Sequence, residues 1–195
     1  NTSSGNTFSL TTGNATNSYC NSCTDYLYIG PLLAAEKADF DGDGKVDVVA
    51  VGKGVNILHN ETPAGSLTLP NFTFSKGFLS LISNDGTANS VKVADFDGDC
   101  KLDIVHTTNT EKVVKVLRNT YSTVGTLQFD GSVTFDTPDL ENTFQLAIGD
   151  MNGDGLPDII VSDYVSGGGF STKIGYLANT STPGNISFAP ELLIA

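Results

Sequence analysis

Apolar residues in this chain fall in short runs broken by Gly, Asp, Asn, Ser and Thr. Val46-Asp-Val-Val-Ala-Val51, Leu102-Asp-Ile-Val-His106 and Asp158-Ile-Ile-Val161 are rich in β-branched residues and bounded by turn formers, which predicts strands rather than helices. Upstream of each run lies a strand ending in a small residue and Asp: Ala38-Asp39, Ala94-Asp95 and Gly149-Asp150. Downstream comes a third strand closing on Leu-x-Asn, in Val55–Asn60, Val113–Asn119 and Lys173–Asn179. A Pro/Gly/Ser/Thr stretch then leads to a strand marked by Phe: Phe72-Thr-Phe74, Val133-Thr-Phe135 and Ile186-Ser-Phe188. The chain is therefore all-β. Four short antiparallel strands recurring three times is the pattern of β-propeller blades.

Between the first two strands of each repeat sits an acidic loop: Asp39-Phe-Asp-Gly-Asp-Gly-Lys-Val-Asp47, Asp95-Phe-Asp-Gly-Asp-Cys-Lys-Leu-Asp103 and Asp150-Met-Asn-Gly-Asp-Gly-Leu-Pro-Asp158. The copies start 56 and then 55 residues apart, with side-chain oxygens at positions 1, 3, 5 and 9. Carboxylates at that density repel one another unless a hard cation lies among them, and Ca²⁺ accepts about 6–8 oxygen ligands in a flexible shell. An EF-hand would need Glu at position 12, where this chain has Ala50, His106 and Val161, and helices that no segment supplies. A β-sandwich accommodates the strands but gives no reason for three matching loops.

The D-x-D-x-D-G-x-x-D loop between two strands resembles the FG-GAP/VCBS repeats of integrin-α-like propellers, bacterial surface proteins and some lectins, over about residues 31–195. The resemblance implies three Ca²⁺ sites. Side-chain ligands would be Asp39, Asp41, Asp43 and Asp47; Asp95, Asp97, Asp99 and Asp103; and Asp150, Asn152, Asp154 and Asp158, with the position-7 carbonyl from Lys45, Lys101 or Leu156. Cys100 stands where a left-handed glycine is expected, a cost on the order of 1 kcal/mol. Asn152 removes one negative charge from the third loop. The first site is expected to bind tightest.

The division that follows is an end strand and long loop at 1–30, with repeats at 31–75, 76–136 and 137–195, all in one propeller-type domain. Asn1-Thr2 reads as the end of a third strand and Phe8 as part of a fourth, so the chain is expected to begin partway through a repeat. Three blades fall short of the roughly four to eight of known propellers. The expectation is part of a longer protein, or a homodimer completing a six-blade ring.

The formal net charge is -12, but the loops hold eleven of the 22 acidic residues, and three bound Ca²⁺ would bring it to -6. Ten Lys and Arg without a basic cluster argue against nucleic acid. Neither a signal peptide nor an apolar span for membrane insertion is visible. Loops of this kind in extracellular modules fill at high Ca²⁺, so a secreted or cell-surface location follows. Metal-free loops are knots of like charge, so binding couples to folding, worth about 2.7 kcal/mol at 100 times the dissociation constant.

Cys20 and Cys23 could form a local disulfide in an oxidising compartment or stay unbridged, whereas Cys100 reads as a buried or half-buried loop residue. Six N-x-Ser/Thr sequons occur, at Asn1, Asn14, Asn60, Asn71, Asn179 and Asn185. His59 and His106 read as packed or solvated strand residues. No nucleophile–base constellation appears, and the chain is read as a non-enzyme: a calcium-binding adhesion or protein-interaction module with a protein or glycan ligand on a cell surface. A lectin-like propeller, or part of a polysaccharide-active enzyme, is the alternative; the chain has no Trp and repeats no Tyr position.

Overall fold

The computed structural model of the chain describes residues 32–52, 54–63, 72–74, 87–108, 111–165 and 171–194. Among the described residues there are twelve strands and no helix. Strands β1 (Ala34–Ala38), β2 (Asp47–Gly52), β3 (Gly54–Asn60) and β4 (Phe72–Phe74) form one antiparallel sheet in chain order. The second sheet is β5 (Ala88–Ala94), β6 (Asp103–Thr108), β7 (Val113–Leu117) and β8 (Val133–Asp136). The third is β9 (Thr143–Gly149), β10 (Asp158–Asp163), β11 (Ile174–Leu177) and β12 (Leu192–Ile194).

Register explains the small residue before each loop. Ala38 pairs with Asp47, Ala94 with Asp103 and Gly149 with Asp158, so each acidic loop is a hairpin closed by a small residue facing an Asp. A bulky side chain beside a buried carboxylate would crowd the turn that the loop must make.

The sheets stack face to face, with β1 beside β5 and β5 beside β9. Two apolar cores fill the two interfaces. Val49, Val51 and Ile57 of the first sheet meet Val91, Ile104 and Leu117 of the second. Val105, Val114 and Val116 of the second meet Leu146, Ile159, Val161 and Leu177 of the third. β6, in the middle sheet, is thus covered on both faces and is buried along its whole length, whereas β2 and β10 each meet one neighbouring sheet among the described residues. The arrangement is that of propeller-like blades.

One strand differs from expectation. Ile186-Ser-Phe188 is not a strand: Phe188 makes a single bridge to Asn179, and the fourth strand is β12 further on. Its counterpart is Phe129, bridged to Asn119, not Phe135 in β8. Two Phe-bearing segments follow the third strand of the second repeat, and the sequence pattern aligned the wrong one. Both bridging rings pack edge-on against the preceding sheet's loop: Phe129 on Phe40 at 5.8 Å and Phe188 on Phe96 at 5.7 Å. The front strand with Phe8, and Cys20 and Cys23, lie outside the described residues.

Candidate metal centre

A common hydrogen-bond scaffold builds all three loops. The position-1 carboxylate accepts two backbone amides, four and six places into the loop. Asp39 takes Gly42 and Gly44, both at 2.8 Å; Asp95 takes Gly98 and Cys100, both at 2.8 Å; Asp150 takes Gly153 and Gly155, at 2.7 and 2.9 Å. Position 3 accepts the position-5 amide: Asp41 from Asp43 at 3.2 Å, Asp97 from Asp99 at 3.2 Å and Asn152 from Asp154 at 2.9 Å. Position 5 in turn accepts the amide of position 7, from Lys45 at 2.8 Å, Lys101 at 3.0 Å and Leu156 at 2.8 Å. Short Asp and Asn side chains favour such local turns, so the loop sequence dictates its own backbone.

Position 9 is a clamp. Asp47, Asp103 and Asp158 are all fully buried. Each accepts the position-2 amide on one oxygen (Phe40 3.1 Å, Phe96 3.0 Å, Met151 2.9 Å) and a third-strand Asn amide on the other (Asn60, Asn119 and Asn179, all 2.8 Å). Burial pushes the Asp103 carboxyl up to about 7, against the opposing pull of the Asn119 and Phe96 amides. Burial raises Asp47 as well. The Asn side chains then bind the sheets together. Asn119 donates to Phe40 O at 2.7 Å and Leu102 O at 3.1 Å, and Asn179 to Phe96 O and Pro157 O, both at 2.9 Å. The Asn of Leu-x-Asn is therefore a strut from one sheet to the loop of the sheet before it.

The loops part company at the second oxygen of position 3, where the x of Leu-x-Asn arrives. In the first loop this is His59, whose Nε2 lies 2.7 Å from Asp41 Oδ2. In the second it is Arg118, which donates from Nε to Asp97 Oδ2 at 2.6 Å and from Nη2 to Asp99 Oδ2 at 2.7 Å. In the third it is Ala178, and Asn152 Nδ2 turns to Asp154 Oδ2 at 2.8 Å instead. Burial works to raise the Asp97 carboxyl, but the Arg118 guanidinium and the Gly184 amide outweigh it and hold Asp97 below its usual range. Likewise the Lys45 ammonium, 2.5 Å from Asp43, outweighs burial and lowers Asp43.

Three groups of side chains among the described residues converge to within 4.8 Å: Asp39, Asp41 and Asp47; Asp41, Asp43 and His59; and Asp95, Asp97 and Asp99. In the first loop the buried Asp41 Oδ2 already faces His59 Nε2 at 2.7 Å, so a divalent cation there would have to displace the imidazole. In the second loop the same oxygens already hold a guanidinium, which a metal must displace. The third loop offers Asp150, Asn152 and Asp154 in the open, without a competing side-chain cation among the described residues.

Sequence reasoning missed His59 and Arg118 as loop residues, though their shared place in Leu-x-Asn was visible. It also read Cys100 as a buried or half-buried loop residue; the side chain is exposed, at φ 66°. His106 is buried within β6, away from every loop cluster.

No curated protein matches the chain. A family model for the FG-GAP-like repeat matches residues 39–106, from the first acidic loop through the second and into β6. That stretch spans two consecutive loops and the interface between the first two sheets, and over it the chain is similar to an FG-GAP-like repeat.

Proposed function

We propose that the chain is a calcium-binding β-propeller module of a secreted or cell-surface protein, acting in adhesion or protein interaction rather than catalysis. The observation that carries this reading is the recurrence of one carboxylate loop at the same hairpin of three matching sheets. A bound Ca²⁺ supplies a central charge around which the carboxylates and the position-7 carbonyl gather. The chain's own part is to hold those oxygens in place by the amide scaffold and to tie each loop to its neighbouring sheet through Asn119 and Asn179. Such a metal stiffens the hairpins and leaves other loops to bind a protein or glycan on a cell surface.

A further sheet also has a place. Phe40 and Phe96 are fully buried, whereas Met151 at the same loop position is 56% exposed. We read the Met151 face as one that takes another sheet of the same kind, and a second copy would bring three sheets to six.

The test is calorimetric titration of Ca²⁺ into chelator-stripped protein, with the melting temperature followed on the same sample. Three equivalents of unequal strength and a rise in stability are expected. Absence of binding at millimolar Ca²⁺ would sink the reading.

A further inference from the structure

We infer that the third loop is a site of spontaneous covalent modification: Asn152 deamidates through attack by the Gly153 backbone nitrogen, which gives the loop the position-3 carboxylate that the other two already have. Positions 3 and 4 read Asp41-Gly42, Asp97-Gly98 and Asn152-Gly153. Asn152-Gly153 is also the one Asn-Gly pair in the whole sequence.

Glycine supplies the access. It has no side chain to shield its backbone nitrogen, so that nitrogen can approach the preceding Cγ closely. Asn152 and Gly153 are both exposed, and a Cβ at Gly153 would meet nothing within 4 Å. The attack closes a succinimide ring between adjacent residues, with the advantage of any intramolecular reaction. Asn185 is the contrast: it is exposed as well, but the branched side chain of Ile186 shields the nitrogen that follows it.

The hydrogen bonds of the loop address each reacting atom. The Gly153 amide donates to Asp150 Oδ1 at 2.7 Å, so the proton it must lose already points at a carboxylate. Asn152 Oδ1 accepts the Asp154 amide at 2.9 Å, a donor placed where negative charge develops on the attacked carbonyl. Asn152 Nδ2, the nitrogen that leaves, donates to Asp154 Oδ2 at 2.8 Å. In the reaction the bond from Gly153 N to Asn152 Cγ forms, the Cγ–Nδ2 bond breaks, and the amide proton departs with Nδ2 as ammonia. Water then opens the succinimide at either carbonyl and leaves aspartate or isoaspartate.

The aspartate product completes the pattern of the other loops, with carboxylates at positions 1, 3, 5 and 9. It does so where Ala178 brings no compensating charge, unlike Arg118 in the second loop. On the proposal that these loops hold cations, deamidation therefore strengthens the third site.

The full chain is incubated at neutral pH in ¹⁸O-labelled water without added metal, and peptide mass spectrometry locates the label. Label is expected at residue 152, in aspartate and isoaspartate, at least about tenfold faster than at Asn185. Gly153→Ala should slow its entry by at least about tenfold with Asn152 still in place. Asn152→Gln, which keeps both the amide and the glycine, serves if the alanine variant folds poorly, and its peptide should stay unlabelled. Labelling at residue 152 no faster than at Asn185, or undiminished in these variants, overturns the inference. Asn152→Asp makes the product directly, and its melting temperature should rise more on adding Ca²⁺ than that of the parent chain; an equal rise would strip the modification of its effect on the site. No Ca²⁺ response in either protein would bring down the calcium reading, while the label decides the deamidation by itself.

Discussion

The second and third loops share one backbone scaffold and differ in what neutralises it. In 95–103 the guanidinium of Arg118 spans Asp97 and Asp99, and Gly184, in the connection between β11 and β12, donates to Asp97 at 2.9 Å. In 150–158 the equivalent residue is Ala178, and no described residue from a further sheet arrives. The first arrangement is a loop with its own cation and its own cover; the second has neither. Backbone amides alone are enough to shape the turn. The charge left over at positions 3 and 5 is a separate problem, solved side chain by side chain.

The largest effect should come from the cover. Phe96→Ala deletes a fully buried ring packed edge-on against Phe188 and should cost about 4 kcal/mol in urea unfolding. Met151→Ala, at the same place in the exposed loop, should shift stability by no more than about 0.5 kcal/mol. Comparable losses for the two would mean that a further sheet covers Met151 in solution, as the proposed second copy would, and the contrast would then hold for the single chain alone.

Next comes the built-in cation. Arg118→Ala leaves the fully buried Asp97 uncompensated, and breaking such a pair costs roughly 3–5 kcal/mol when it is dry. The Arg118 side chain is 17% exposed, which discounts the loss to about 2 kcal/mol without metal. Ca²⁺ should restore it, since the variant's carboxylates are free to take a metal. Thermal melts with and without Ca²⁺ are the measurement, and a Ca²⁺ response no larger than that of the parent chain would show that Arg118 does not stand in for a metal. The reciprocal change, Ala178→Arg, should weaken the third loop's Ca²⁺ binding.

Much of this architecture was readable in the chain. The period of the acidic loops, the β-branched runs after them and the small residue before them each have a local cause, so strand order and loop placement followed. The alignment of Phe188 with Phe135 failed because two Phe-bearing segments follow β7, and only the bridge to Asn119 distinguishes them. His59 and Arg118 were missed for a different reason. Each acts on carboxylates in a loop well before it in the chain, a contact set by sheet register rather than by local sequence. Cys100 was read as half-buried because cysteines usually are, whereas the turn geometry forces its side chain outward.

Asp163 gives a smaller and separable effect, because its charge is held by hydrogen bonds rather than by a cation. Burial works to raise its carboxyl, yet the amides of Asn142 and Glu141 and the Ser171 hydroxyl outweigh it and lower it. A carboxyl depressed on folding stabilises the protein above its unfolded value, near pH 4, and loses that contribution as the pH falls through the folded value. Asp163→Asn should cost about 1–2 kcal/mol at pH 7 and flatten the acid limb of the stability curve. Added Ca²⁺ should leave that limb unchanged; a Ca²⁺-dependent limb would tie Asp163 to the loops after all.

The smallest effect lies at position 6. Gly44 and Gly155 take φ of 81° and 89°, and Cys100 is held at 66° in the same turn. A side chain there crowds the following carbonyl, at about 1 kcal/mol for a non-glycine residue. Cys100→Gly relieves that strain but frees the unfolded chain, so the net gain should be about 0.5 kcal/mol. Gly155→Ala in the third loop should move the other way by about 1 kcal/mol, because the strain of a side chain at that φ outweighs the gain from a stiffer unfolded chain. Neither change touches a charge or the sheet interface. Urea unfolding of the pair therefore measures the scaffold alone: gain and loss of opposite sign mean that both loops make the same turn, whatever cation each holds. Loss in both would mean that Cys100 makes contacts that offset its backbone, and the second loop would then owe its shape to more than the amides it shares with the third.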